Sequence, residues 1–285
     1  MKYLLLSFLS FCCLLNAYQH ELSVTAIFRD EAPYLREWIE YHKLLGVEHF
    51  YLYNNLSQDK CHEVLAPYVK NGEVDLIEWP MAPHSWSEWD GIQIAAYKDA
   101  LERAKKRTAW LAIIDIDEFL VPIKHKNLKD FLSDYKKQQD IGGVCLGWVF
   151  FGTSNVEKIP DDRLLIETLV LNGGPAAGGN ASAIWNQGAY KSIVRPTCVS
   201  GISSPHYCSY KTGRHHIMAG FEVGQINHYW TRDLYYLENY KIPRREEWGQ
   251  NSSSVLSWAS NMNKENSSGK AILRFIPALK KQMRQ

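Results

Sequence analysis

Hydrophobic runs alternate with amphipathic segments along the first 120 residues of the chain. The run ELSVTAIFRDE predicts a buried strand that delivers Arg29, Asp30 and Glu31 to its C-terminal edge. In the next segment, APYLREWIEYHKLLG, apolar residues recur every three or four positions, which predicts a helix. Two further strands are predicted in VEHFYLYNN and EVDLIEWP, with a helix over roughly residues 58–70 between them. A long amphipathic helix over residues 87–107, capped by Ser87 or Asp90, leads into the apolar run TAWLAIIDIDEFLV.

This alternation predicts an α/β fold with a mostly parallel central sheet flanked by helices. Ligands of such sheets bind at the carboxyl ends of the strands. Beyond Pro122 the pattern is less regular, and the glycine-rich segment over residues 172–182 is predicted to be a mobile loop, either a lid or a flexible connection. We therefore predict one domain over residues 18–245. A polar, partly helical tail over residues 246–285 should pack on that domain or extend it.

Composition and the N-terminus restrict the compartment and the partners. The net charge of +1 gives no reason to expect nucleic acid as a partner. The apolar run within residues 1–17 predicts a signal peptide, with an uncleaved anchor or a buried strand as alternatives. The expected location is the secretory pathway or outside the cell, or the cytoplasm if the segment is not a signal. A membrane is expected as a partner only through this segment. The cysteines that follow leave the disulfide pairing open: Cys61, Cys145, Cys198 and Cys208.

An acidic motif ends the fourth predicted strand. Asp115, Asp117 and Glu118 follow a run of buried-type residues, where clustered carboxylates are costly unless a positive charge lies among them. In an extended segment, residues two apart point the same way, so both aspartates can face one site. Carboxylate oxygens suit Mg²⁺ or Mn²⁺, whose shells are usually completed by phosphates and water. A solvated surface turn is the alternative.

Four motifs in order resemble those of GT-A glycosyltransferases of the family 92 group and of related bacterial family-2-like enzymes. They are FRDEAPYLREWIEYHKLLGVEHFYLYNN, Gln93-x-x-Ala96, WLAIIDIDEFLVP and INHYWTRD, which together extend over roughly residues 22–240. The resemblance implies a GT-A-like domain whose irregular C-terminal portion binds the acceptor. It also implies a metal-assisted, inverting enzyme that moves a hexose from a nucleotide-sugar, with UDP as the expected nucleotide. The acceptor would be a hydroxyl of a glycan or another molecule, and Mn²⁺ or Mg²⁺ the cofactor.

The resemblance also implies roles for individual residues. Asp117 is expected to bind the metal directly, Asp115 to bind it through water or to bind ribose, and His228 to be a further metal ligand. The nucleotide is expected to contact residues at the ends of the first two strands: Arg29, Asp30, Glu31 and Asn54, the last standing where relatives often carry Asp. Lys191 and Arg195, which could share one face of a strand, would neutralise the leaving diphosphate, with exposed strand charge as the alternative.

The catalytic base is expected to be a carboxylate beyond the acidic motif, on the acceptor side. Asp162 and Glu222 are our candidates, although no motif selects them, and Trp148 and Trp185 are candidates for stacking on an acceptor sugar. One alternative function is an inactive carbohydrate-binding protein on the same scaffold. Another is a phosphatase whose nucleophile lies in the DxD motif. The late position of that motif in the chain disfavours the phosphatase.

Overall fold

The computed structural model describes residues 18–249 and 251–284, so the predicted signal peptide over residues 1–17 lies outside the described part of the chain. The elements of the first half are β1 (His20–Phe28), α1 (Ala32–Leu44), β2 (His49–Asn54), α2 (Cys61–Lys70), β3 (Val74–Glu78), α3 (Trp86–Ala104), β4 (Thr108–Ile113), β5 (Glu118–Pro122) and α4 (Leu128–Ser133). The strands of the second half are β6 (Ile141–Phe151), β7 (Asn172–Pro175), β8 (Tyr190–Val194), β9 (Val199–Ile202), β10 (Cys208–Tyr210), β11 (His215–Ala219) and β12 (Gly224–His228). Its α-helices are α5 (Leu165–Thr168), α6 (Ala181–Gln187), α7 (Leu234–Tyr236), α8 (Ile242–Glu247), α9 (Ser252–Asn261) and α10 (Ile276–Met283).

One large sheet forms the centre of the fold. Its strand order is β3-β2-β1-β4-β8-β6-β12-β5, and β7 and β11 also pair with β6. The pairs among β3, β2, β1 and β4 are parallel, whereas β8 runs antiparallel to both β4 and β6. Most of β1 and all of β2 are buried, as expected where helices cover both faces of a parallel sheet. The predicted α/β class is therefore confirmed, with a parallel first half and a mixed second half.

The start of α3 differs from the prediction. Its N-cap is Ser85, whose side chain accepts a hydrogen bond from the backbone N–H of Glu88, and not Ser87 or Asp90. Ser85 has the extended backbone of a cap residue, whereas the two predicted caps already lie inside the helix. The Asp90 side chain is therefore not used as a cap.

The acidic motif lies in a turn and not in a continuous strand. The run TAWLAIIDIDEFLV divides into β4 and β5, and the backbone N–H of Glu118 donates to the carbonyl of Asp115 at 3.1 Å across the turn between them. The prediction of an extended segment is wrong here, because the chain leaves β4 for a position at the far edge of the sheet. Both aspartates nevertheless border the same cavity.

The glycine-rich segment over residues 172–182 is not a loop throughout. It begins with β7, passes through the left-handed residues Ala177 (φ 49°) and Gly178 (φ 62°), and ends in the first turn of α6. The side chain of Asn180 caps α6 by accepting a hydrogen bond from the backbone N–H of Ala183. The loop prediction is therefore wrong at both ends of this segment.

The C-terminal segment completes the main core. Ile272, Phe275 and Leu279 belong to the same hydrophobic cluster as Trp38 of α1. Arg274 donates hydrogen bonds to three carbonyl groups at and after the end of β5. Residues beyond 245 thus contribute side chains to the interior of the fold.

Two further observations concern the described ranges only. The four cysteines listed above are buried free thiols. No helix within residues 18–249 or 251–284 is both long enough and apolar enough to span a bilayer.

Candidate active site

A cavity of about 630 Å³ opens at the carboxyl ends of the parallel strands. It is lined by Phe28 and Arg29 at the end of β1, by the turn Asp115–Asp117 after β4, and by His228 at the end of β12. The remaining wall is formed by one face of α3, the end of β6, residues 187–188 and 205–206, and the segment that follows β12. The cavity therefore occupies the edge of the sheet at which ligands of parallel α/β folds bind.

Asp115 is held by two donors of the protein itself. Its Oδ1 accepts a hydrogen bond from the Tyr97 hydroxyl at 2.7 Å, and its Oδ2 lies 2.9 Å from Lys191 Nζ. Burial opposes ionisation of Asp115, but Lys191 holds the pKa of this carboxyl below its usual value. Although burial also disfavours the charged amine, Asp115 and Glu118 raise the pKa of Lys191. A buried lysine thus supplies positive charge to the acidic turn.

Asp117 has two basic neighbours of its own. Lys241 Nζ lies 3.2 Å from Asp117 Oδ2, and His228 Nε2 lies 3.4 Å from Asp117 Oδ1. Burial opposes ionisation, but Lys241 and His228 hold the pKa of Asp117 well below its usual value. Burial lowers the pKa of Lys241, and the nearby Arg245 adds to this effect against the attraction of Asp117. Asp117 is therefore ionised, and Lys241 holds its proton less firmly than an exposed lysine would.

His228 is a neutral imidazole beside a buried carboxyl. Burial lowers the pKa of His228. The centre of its ring lies 4.7 Å from the centre of the Trp148 ring. His228 Nδ1 is 3.8 Å from Glu118 Oε1, and neither atom has a hydrogen-bond partner among the described residues. A small movement would let Nδ1–H donate to Glu118 and leave the Nε2 lone pair facing Asp117. This is the arrangement by which carboxyl groups orient metal-binding histidines.

Asp117 and His228 fit a divalent metal ion. Two ligands about 2.1 Å from one ion, at an angle of roughly 110°, are separated by about the distance observed between Asp117 Oδ1 and His228 Nε2. No group of three or more His, Cys, Asp or Glu side chains converges on a metal site within residues 18–249 and 251–284. Tyr97 and Lys191 engage both oxygens of Asp115. The protein would therefore hold Mn²⁺ or Mg²⁺ with two side chains, and phosphate oxygens and water would fill the other positions.

Glu31 forms a buried ion pair at the edge of the cavity. Arg232, which is fully buried, places Nη2 2.5 Å from Glu31 Oε2, and the Tyr236 hydroxyl donates to Glu31 Oε1 at 3.1 Å. The guanidinium also lies over the Tyr34 ring, 3.9 Å from its centre. Burial raises the pKa of Glu31, against the attraction of Arg232. These contacts commit Glu31 to anchoring the chain after β1.

Tryptophan side chains form much of the cavity wall. They are Trp86, Trp89, Trp148, Trp230, Trp248 and Trp258. The indoles of Trp89 and Trp248 stack with their centres 5.6 Å apart, which joins α3 to α8. The guanidinium of Arg245 lies 4.1 Å from the centre of the Trp86 ring. Such flat apolar faces, mixed with a few polar groups, are typical of small-molecule sites.

The structure brings some of the predicted site residues into this cavity. Those that line it are Arg29, Glu31, Asp115, Asp117 and His228, together with Trp148, and Lys191 contacts Asp115. Asp30 instead lines a second cavity, where its Oδ1 accepts a hydrogen bond from the backbone N–H of Gln58. Trp185 borders a third, smaller cavity and stacks between Tyr190 and His216.

Four predicted residues lie elsewhere. Asn54 is buried and donates a hydrogen bond to Glu78 Oε2 at 2.9 Å, so it joins the ends of β2 and β3. Arg195 does not share the environment of Lys191, because β8 ends at residue 194 and the Arg195 guanidinium donates to the Tyr135 carbonyl at 2.6 Å. The exposed residues Asp162 and Glu222 border none of the three cavities described here.

Several residues of the cavity were not predicted from the sequence. Lys241, Arg244 and Arg245 reach it from the turn before α8 and from α8 itself, and Asp90 reaches it from α3. Three cations within five residues, followed closely by Trp248, are a visible pattern in the sequence. Nothing in the sequence around these cations indicates that Lys241 contacts Asp117, which lies 124 residues earlier in the chain.

Comparisons with known proteins establish the family. Residues 19–274 match the model of glycosyltransferase family 92. The chain is 26% identical over 258 residues to a family 92 protein of Arabidopsis thaliana, covering 86% of this chain and 40% of that protein. It is 30% identical over 212 residues to a family 92 protein of Oryza sativa subsp. japonica, covering 74% of this chain and 33% of that protein. The chain belongs to glycosyltransferase family 92, and it spans less than half the length of these relatives.

Two more distant similarities were found. A beta-1,4-galactosyltransferase of Caenorhabditis elegans is 29% identical over 130 residues, covering 44% of this chain and 31% of that protein. The crystal structure of S. aureus TarS 1-349 superimposes with a TM-score of 0.44 and 9% identity, covering 82% of this chain and 68% of that chain. A score this low carries no argument about the site.

Proposed function

We propose that this protein is a metal-dependent glycosyltransferase that moves a hexose from a UDP-sugar to a hydroxyl group of a glycan or another acceptor. The observation that carries the proposal is the pairing of Asp117 with His228 at the carboxyl edge of the sheet, inside a cavity lined by tryptophan and basic side chains. Membership of family 92 supports the transferase class. The metal is our inference from the chemistry of the cavity. The UDP nucleotide and the hexose are carried over from the resemblance to family 92 enzymes.

The chain's own cations fit a diphosphate leaving group. Lys241, Arg244 and Arg245 line the cavity beside Asp117, so a diphosphate there would meet several charged donors in a partly desolvated site. When bound by Asp117 and His228, Mn²⁺ or Mg²⁺ would supply further stabilisation of the charge on the phosphate oxygens. The buried pair of Lys191 and Asp115 fixes the shape of the acidic turn.

The aromatic wall fits the sugar part of the substrates. Trp86 and Trp89 line the cavity from α3, and Trp258 lines it from α9. A relative named as a beta-1,4-galactosyltransferase makes UDP-galactose the first donor to test. The same wall is compatible with a protein that binds carbohydrate without turnover, which is the second candidate function.

The experiment is a donor screen with the full chain. UDP-galactose, UDP-glucose and UDP-N-acetylglucosamine are incubated with Mn²⁺ or EDTA, with and without galactoside and glucoside acceptors, and released UDP is measured. We expect UDP release that requires Mn²⁺, increases with one acceptor and falls at least 100-fold in Asp117→Asn. UDP release that is equal in EDTA would contradict metal dependence. Acceptor binding without turnover of any donor would favour the inactive carbohydrate-binding protein.

A further inference from the structure

Four carboxylates among residues 18–249 and 251–284 line the cavity at the carboxyl edge of the sheet: Glu31, Asp90, Asp115 and Asp117. Three of them are engaged: Glu31 by Arg232 and Tyr236, Asp115 by Tyr97 and Lys191, and Asp117 by Lys241 and His228. No hydrogen bond or ion pair with any described residue engages the carboxylate of Asp90. We propose that Asp90 is the catalytic base that accepts the proton of the acceptor hydroxyl, an inference that rests on the proposed transferase function.

The position of Asp90 on α3 supports this role. Trp86, Trp89, Asp90 and Gln93 are spaced three and four residues apart, so they share one face of the helix, and all four line the cavity. Asp90 therefore lies beside two tryptophans on this face of the helix. A sugar that packs on this aromatic face would bring its hydroxyl groups within reach of the carboxylate.

The transfer step balances with Asp90 in this role. The acceptor oxygen forms a bond to the anomeric carbon of the donor as its proton passes to an oxygen of Asp90. The bond between the anomeric carbon and the phosphate oxygen breaks, and its electron pair leaves with UDP. The products are the new glycoside, UDP and a protonated Asp90, which returns its proton to water through the open cavity.

The surroundings of Asp90 leave it able to exchange a proton. Burial raises the pKa of Asp90, while Arg245 from α8 and Lys191 from β8 oppose this rise. His206 is another proton acceptor among the described residues that line the cavity. Its Nδ1 lies 3.2 Å from the Tyr190 carbonyl, so Nε2 faces away from this bond. Its ring packs edge-on against Trp148, and burial lowers the pKa of His206 to about 4. His206 is therefore the rival base that the test must separate from Asp90.

The test compares Asp90→Asn, Asp90→Glu and His206→Gln in the full chain. UDP release from UDP-galactose is measured between pH 5 and 9 with Mn²⁺ and the acceptor found in the donor screen, and binding of UDP is measured by calorimetry. Glu102→Gln is the matched control, because Glu102 is an exposed carboxylate on the same helix and lies outside the cavity.

We expect Asp90→Asn to lower kcat about 100-fold or more, within the range typical of general-base catalysis. Its binding of UDP should stay within about twofold of the unchanged chain, and the acidic limb of the pH profile should disappear. Asp90→Glu should recover part of kcat, and Glu102→Gln should match the unchanged chain.

Three results would overturn the inference while leaving the proposed function intact. One is an Asp90→Asn variant with kcat within about threefold of the unchanged chain. Another is loss of the acidic limb in His206→Gln but not in Asp90→Asn. A loss confined to KM, with kcat preserved, would assign Asp90 to sugar binding and would also overturn its role as base. An unchanged chain that binds UDP but turns over no donor contradicts the proposed function itself.

Discussion

At the scale of single residues, three buried acids of the site are each paired with a specific cation. Lys191 compensates Asp115, Lys241 compensates Asp117, and Arg232 compensates Glu31. Removing one member of such a pair leaves an uncompensated buried charge, which is more costly than the pair is stabilising. The cations therefore fix where the carboxylates point before any ligand is bound.

Glu37 is a buried acid with no cationic partner in contact among residues 18–249 and 251–284, and it makes stability depend on pH. Burial raises its pKa to about 7 from the ordinary 4.5, although the backbone N–H groups of Ile166 and Leu165 donate to it. The folded state keeps the proton up to about pH 7, whereas the unfolded chain releases it near pH 4.5. Because the folded state binds more protons in this window, stability falls as pH rises from about 4.5 to 7 and levels off above it.

We predict that Glu37→Gln removes this slope, which amounts to roughly 3 kcal/mol across the window. Urea unfolding at pH 5, 6 and 7 measures it. Glu63→Gln is the control, because Glu63 is an exposed carboxylate on α2. Equal slopes in the Glu37→Gln variant and the unchanged chain would contradict the prediction.

The residue scale also shows how far the sequence reveals the site. Asp115 and Asp117 follow an apolar strand of the βα pattern, so their arrival at the carboxyl edge was predictable from that pattern. His228 was expected there only from the resemblance to family 92 enzymes. The partner cations were not predictable, because Lys241 and Arg232 lie more than 100 positions from the acids they contact. Arg195 was predicted to share a strand face with Lys191. It does not, because alternation along a strand applies only within the strand and β8 ends one residue before Arg195.

At the scale of elements, α8 depends on α3 for its position over the cavity. Trp248 at the end of α8 stacks on Trp89, and the centre of its ring lies 5.7 Å from the centre of the Trp86 ring. The Arg245 guanidinium lies over the Trp86 ring. These contacts hold the segment that carries Lys241 beside the acidic turn. Aromatic pairs of this kind contribute about 0.5–1.5 kcal/mol each beyond the area they bury.

We predict that Trp248→Ala weakens UDP binding about tenfold, because Lys241 and Arg245 lose their support. Calorimetric titration of UDP in the presence of Mn²⁺ measures the change. Trp79→Ala is the comparison, since Trp79 packs on Tyr53 and lines none of the three cavities described above. An affinity unchanged by Trp248→Ala would show that α8 does not need this contact to serve the site.

Elements were predicted best where the pattern was longest. The alternation over the first 113 residues located four strands and three helices, because buried strands and amphipathic helices differ clearly in period. The turn at Asp115–Asp117 was missed, since continuous apolar residues on both sides conceal the change of direction between β4 and β5. Short elements such as β7 and α6 were missed because glycine and alanine carry little periodic information.

At the scale of the whole molecule, the C-terminal segment is part of the fold and not an appendage. Leu279 of α10 is fully buried in the main hydrophobic cluster, and Gln282 donates a hydrogen bond to the Glu40 carbonyl at 3.1 Å. The composition becomes more polar after the predicted boundary at residue 245. The packed core nevertheless continues across that boundary. Because this stretch is mostly polar, its pattern does not indicate which of its few apolar residues pack against the domain.

We predict that Leu279→Ala lowers the free energy of unfolding by about 3 kcal/mol, as expected for truncation of a buried leucine. Leu256→Ala is the matched control, because Leu256 lies in the same C-terminal segment and is 44% exposed. It should change stability by less than about 0.5 kcal/mol. Equal effects of the two substitutions in urea unfolding would mean that α10 does not belong to the cooperative core.

The proposed function requires that Asp117 and His228 hold a divalent metal that binds the diphosphate of a UDP-sugar. The most direct measurement is calorimetric titration of UDP into the full chain with Mn²⁺ and with EDTA, repeated for Asp117→Asn and His228→Ala. Asp130→Asn, which alters an exposed carboxylate on α4, is the control. We predict Mn²⁺-dependent binding that both site variants reduce at least tenfold and that the control retains. UDP binding of equal strength in EDTA, or in Asp117→Asn, would contradict the proposed metal site.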